Sequence, residues 1–180
     1  MESFVIVGYK GSQKNIIGQM LSARLSCNLV DVTEIVENRE KQDSNAILEM
    51  RGNDYYERIV EYNLKHIPHK DNVILLGDFK LNNEEFIREL KTYGRFIYLK
   101  AKPETILKNI QDNNETVLNL GNNEININYI ENELDNIEPM YNKLANVVIE
   151  VDDKKITDLF KEVLGYYNMM TKLICHIYIK

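Results

Sequence analysis

Residues 4–7, FVIV, are apolar and mostly β-branched, and they run directly into Gly8. A short run of that kind ending at a glycine reads as a buried strand. Residues 14–25, KNIIGQMLSARL, then have helical spacing, with Ile16, Ile17, Met20, Leu21 and Leu25 able to share one face. A glycine loop, GYKGSQ, joins the two. Strand, glycine loop and helix in that order is the context that separates a phosphate-gripping loop from a chance cluster of glycines.

Such a loop binds phosphate with successive backbone N–H groups and the positive end of the following helix. Gly8, Gly11 and Lys14 stand where it needs them. Gln13 stands where a glycine is expected, and Asn15 where a serine or threonine would bind Mg²⁺. A left-handed backbone at Gln13 costs roughly 1 kcal/mol relative to glycine. Asn15 offers an amide oxygen as the metal ligand. The phosphate candidates are therefore Gly8, Gly11, Ser12, Gln13, Lys14 and Asn15. The competing reading is a tight strand-to-helix turn with no ligand.

The pattern continues in the same alternation. Strands are expected at 28–32, 72–77, 95–101 and 146–151. Helices are expected at about 33–40, 44–50, 53–67, 82–93, 103–111, 127–143 and 154–168, with Pro103 opening one of them. Alternation of this kind predicts a parallel sheet covered on both faces. Residues 112–126, polar and Asn-rich, read as a mobile loop. One domain spans 1–168, followed by an apolar tail at 169–180. That tail extends the last helix, adds a strand or meets a protein partner or second copy of the chain.

The net charge of −6 argues against nucleic acid as the main partner. No apolar run is long enough to span a bilayer, so no membrane is expected. Cys27 and Cys175 form no C-x-x-C pair, and MESFVIVG lacks the basic segment of a signal peptide, so a reducing cytoplasm is expected. His66 and His69 flank a proline with no acidic or thiol frame and read as a helix end. The tyrosines at 55–56 and 166–167 read as packing.

GYKGSQKNIIGQMLSARL resembles the opening of the shikimate kinases, G-x-x-G-x-G-K-[ST]-T-[IV]-G-x-x-L-A-x-x-L, with Ile17, Gly18, Leu21 and Leu25 in register. LVDVTEIVE (29–37) is similar to the family's second strand and D-x-D-x-x-I-E element, and GNDYYERIVE (52–61) to its G-E-x-x-F-R-x-x-E helix. VILLGDFKL (73–81) falls where the family has a strand and a G-G-G turn; EPMYNKLANVVIEVDD (138–153) resembles R-x-P-L-Y-x-x-x-A-[DT]-x-x-[IV]. The ordered set covers about residues 3–165. It implies a three-layer P-loop kinase fold whose five parallel strands run in the order 2-3-1-4-5. It also implies ATP and Mg²⁺ as ligands, with phosphorylation of shikimate as the activity. Lys14 and Asp31 become the catalytic candidates, Asn15 and Asp31 the Mg²⁺ candidates, and Asp31 and Arg58 the substrate candidates. The segment at 152–155, DDKK, occupies the family's adenine-contacting loop, or is an ordinary charged helix start.

Several family positions carry different chemistry. The second carboxylate of D-x-D falls on Thr33, and the substrate-carboxylate arginine on Glu57, with Arg58 one position further round the helix. The glycine turn becomes Gly77, Asp78 and Phe79. The arginine before Pro-Leu-Tyr falls on Ile137, and the lid segment near 115–120 has no basic residue. A carboxylate substrate is normally gripped by bidentate arginines, so weak or no shikimate phosphorylation is expected. The alternative is a protein that binds a nucleotide or another small anion without catalysis and acts through a protein partner.

Overall fold

The computed structural model describes residues 2–112 and 125–178, with side chains as far as residue 170. Residues 113–124, most of the Asn-rich stretch and all of the lid position, lie outside them. The elements are β1 (Phe4–Val7), α1 (Lys14–Leu25), β2 (Asn28–Asp31), α2 (Val32–Glu40), α3 (Ser44–Arg51), α4 (Asn53–Leu64) and β3 (Asn72–Leu75). They continue with α5 (Glu84–Leu90), β4 (Arg95–Lys100), α6 (Pro103–Asp112), α7 (Ile127–Leu144), β5 (Val147–Glu150) and α8 (Ile156–Tyr178). Among the described residues the strands form a five-stranded sheet in the order β2-β3-β1-β4-β5. Every pairing is parallel.

β1 is central, pairing Phe4 with Val73 on one side and with Arg95 on the other. All four of its residues are buried. Val5 and Val7 point into one apolar layer with Tyr56, Val60 and Phe86. Phe4 and Ile6 point into the other with Ile17, Leu21 and Ile106. A strand buried on both faces has no polar alternation, which is why FVIV is continuously apolar. The edge strands β2 and β5 keep exposed positions.

Several boundaries shift from the sequence expectation. The 72–77 strand stops pairing regularly at Leu75, although Leu76 N–H still donates to the Ile6 carbonyl (3.1 Å). The helix expected at 82–93 is shorter because Asn83 caps it, accepting from Glu85 and Phe86 N–H. The face of α1 is narrower than expected: Ile17 and Leu21 are fully buried, but Ile16 is 41% exposed. The apolar tail continues the last helix as far as Tyr178, where α8 ends. No helix among the described residues is long and apolar enough to cross a membrane.

Candidate functional site

The loop between β1 and α1 lies at the carboxyl end of the central strand, where open α/β sheets bind ligands. Gln13 adopts the left-handed conformation (φ 67°, ψ 12°) directly before α1, and Gly11 has φ 81°. The turn is closed by Ser12 N–H donating to the Tyr9 carbonyl at 2.9 Å. It is held from behind by α6. A Cβ on Gly11 would lie 2.8 Å from the Ile106 carbonyl oxygen, and Asn109 Nδ2 donates to the Gly11 carbonyl at 2.8 Å. A Cβ on Gly8 would meet Ser12 Oγ at 2.5 Å and the Leu99 carbonyl oxygen at 2.7 Å. These two glycines are thus required by close approach as well as by backbone angle. Burial, and then the nearby Glu133, push the Tyr9 phenol well above its ordinary pKa, so it stays a neutral hydrogen-bonding group.

Two cavities flank the loop, and Gln13 borders both. One, about 340 Å³, is lined by Lys10, Lys14, Asn15, Asp31, Thr33 and Asp78, and beyond them by Glu37, Ser44, Asn45 and Tyr56. The other, about 380 Å³, is lined by Thr105, Lys108, Asn109, Asp153, Lys154 and Lys155. Both fall in the size range of small-molecule sites. Lys14 Nζ lies 2.5 Å from Asp78 Oδ1, with side-chain exposures of 11% and 25%. Asp31 caps α2, its Oδ1 accepting from Thr33 N–H (3.0 Å) and Glu34 N–H (3.3 Å). Glu37 accepts from Ser44 N–H and Oγ, and Ser44 Oγ lies 3.0 Å from the Tyr56 hydroxyl. That chain of bonds makes a firm far wall.

The structure therefore brings Gln13, Lys14, Asn15 and Asp31 to one cavity, with Gly8, Gly11 and Ser12 shaping the loop beside it. It does not bring Arg58 there. Arg58 is exposed on α4 and is absent from the cavity lining. Glu57 does not face the cavity either. It is buried, and its Oε1 accepts from Asn82 N–H (2.9 Å) and Asn83 N–H (2.7 Å), so the reversed charge is spent on the backbone leading into α5. Ile137 is packed in the core. Asp153, Lys154 and Lys155 do line the second cavity. Sequence reasoning missed Asn109 and the Lys14–Asp78 pair. The only signal for the second was a carboxylate at a glycine position of the turn.

The donor set suits a phosphate and its metal. Ser12 Oγ is buried without a hydrogen-bond partner among the described residues, inside a loop whose glycines a Cβ would fill. Asn15, Asp31 and Asp78 supply hard oxygen donors beside Lys14, the kind Mg²⁺ takes together with phosphates and waters.

A family model for shikimate kinase matches residues 10–168. The chain belongs to the shikimate kinase family. A shikimate kinase of Caldanaerobacter subterraneus subsp. tengcongensis is 30% identical over 93% of this chain and 96% of its own. Among solved structures, shikimate kinase from Bacteroides thetaiotaomicron superposes with a TM-score of 0.78 at 16% identity, covering 95% of this chain and 98% of that one. Shikimate kinase from Acinetobacter baumannii, solved in complex with shikimate, gives 0.75 at 22% identity, over 94% of each chain. The last two likenesses carry the shikimate kinase fold. In this member of the family the cavity beside the glycine loop presents two lysines and, among the described residues, no arginine.

Proposed function

We propose that this chain is a shikimate kinase-like phosphotransferase whose acceptor site no longer grips a carboxylate. The observation that carries the reading is the loop itself, which keeps its lysine and its glycine geometry and separates two cavities of ligand size. The cavity bordered by Thr105, Lys108 and Lys154 would take the nucleoside, the loop its phosphates, and the cavity bordered by Asp31 and Thr33 the acceptor.

Phosphoryl transfer asks little covalent chemistry of a protein and much positioning and charge. The amides at the start of α1 and Lys14 would hold the terminal phosphates. Asn15 and Asp31 would hold Mg²⁺, which supplies neutralisation of the phosphate charge when bound. Thr33, Asn45 and the free edge of Asp31 would orient an acceptor hydroxyl. Among the described residues shikimate meets no guanidinium for its carboxylate in this cavity, so it should be a poor acceptor. A second reading, nucleotide or anion binding without transfer, is supported by the same lack of arginine around the transferring group.

Calorimetric titration with ATP–Mg²⁺ followed by shikimate tests both. ATP–Mg²⁺ should bind, Lys14→Ala should abolish that binding, and shikimate should be phosphorylated far below a typical enzyme rate of about 1–1,000 per second. Saturable turnover of shikimate within that range would overturn the acceptor part. No binding of any phosphate compound at millimolar concentration would overturn the whole.

A further inference from the structure

The phosphate-binding lysine already has a carboxylate on it. Lys14 Nζ is 2.5 Å from Asp78 Oδ1, and neither side chain is open enough for water and salt to screen the pair fully. The backbone on either side of Asp78 is packed. Asp78 follows Gly77, where an added Cβ would lie 2.5 Å from Thr33 Oγ1, so the turn is pressed against α2. It precedes Phe79, which is buried and packed at a tilt against Tyr56 with ring centroids 5.1 Å apart. Asp31 and Asn15 border the same cavity.

We infer that Asp78 is a specificity-determining residue that makes this loop accept phosphate only together with a divalent cation. The inference rests on the phosphate-binding reading above. Phosphate oxygens that reach Lys14 must share it with Asp78 or displace it. Either way a carboxylate is left facing phosphate at close range in a part-buried site, where like charges repel more strongly than in water. A bare triphosphate brings its full charge to that encounter. A divalent cation with oxygen ligands from Asp78, Asp31 and the phosphates turns the repulsion into coordination. Asp78 would add a carboxylate to the Asn15 and Asp31 oxygens that border the same cavity.

The test is equilibrium titration of the whole chain with ATP, once in a chelator and once with excess Mg²⁺, for wild type, Asp78→Asn and Asp78→Glu, with Lys14→Ala as the loop control. Wild type and Asp78→Glu should favour the Mg²⁺ form by at least about tenfold, the effect of roughly 1.4 kcal/mol. Asp78→Asn should lose most of that preference, chiefly by binding bare ATP more tightly. An equal preference in wild type and Asp78→Asn overturns the inference and leaves the phosphate site standing. If Asp78→Asn does not fold, Asp78→Ser gives the same comparison. Failure of every form, wild type included, to bind ATP under either condition overturns the phosphate-site reading and the inference with it.

Discussion

Gln13 shows what a single residue tolerates for the sake of a loop. It sits in the left-handed region, borders both cavities, and its carbonyl accepts the Ile17 N–H at 3.0 Å to start α1. A side chain there carries a penalty that glycine escapes, and a β-branched side chain carries more. Gln13→Gly should match or slightly exceed wild type in chemical denaturation, while Gln13→Val should fall about 1–2 kcal/mol below the glycine variant. Equal stability of the two variants would mean that the backbone relaxes out of the left-handed region. The sequence registered this residue as an oddity because the glycine spacing around it is local. It registered Asp78 as a carboxylate at a glycine position but not as the partner of Lys14, which lies 64 positions away and is brought near only by the folded sheet.

At the scale of elements, α4 and α5 are joined through one carboxylate. Glu57 leaves α4, is only 6% exposed, and receives the backbone N–H groups of Asn82 and Asn83 just before α5. Two N–H donors give the buried carboxylate partners, which explains why a charged residue survives there. Glu57→Arg would restore the residue type of the family's motif, yet the position faces backbone donors instead of the cavity. It should lower unfolding stability by about 3 kcal/mol, read from denaturant melts, without improving shikimate binding. Tighter shikimate binding by that variant would show that α4 can turn. The existence of α4 was legible from its apolar spacing. The direction of Glu57 was not, because neither motif nor periodicity carries the bonds that the next loop will make.

For the whole molecule, the sheet was the most legible part. Short apolar runs separated by helical segments define a parallel α/β architecture, and the ordered resemblance to one family supplied the strand order that alternation alone leaves open. Helix ends were less legible, since caps such as Asn83 compete with equally suitable neighbours. Of the candidate site, the turn at the loop was readable, whereas the 152–155 segment, part of which borders the second cavity, was left open between an adenine-contacting loop and a charged helix start. The support from Asn109 and the packing of the 77–79 turn were not readable, because both depend on elements distant in sequence.

The placement of β1 also bears on how the protein is made. β1 pairs with residues 73–75 and 95–98, both later in the chain, so it leaves the ribosome before either strand that will flank it. Closing such long loops is slow, and unpaired apolar strand edges invite aggregation meanwhile. In a series of ribosome-stalled or purified N-terminal fragments, hydrogen-exchange protection of Phe4–Val7 should be absent in those ending before Asn72. It should become strong only once Lys100 is included. Early protection in the short fragments would mean that the glycine loop and α1 can shelter the strand unaided. Otherwise the strand that feeds the glycine loop is made before both of its neighbours and secured only after them, which makes it a natural client for whatever holds nascent chains open.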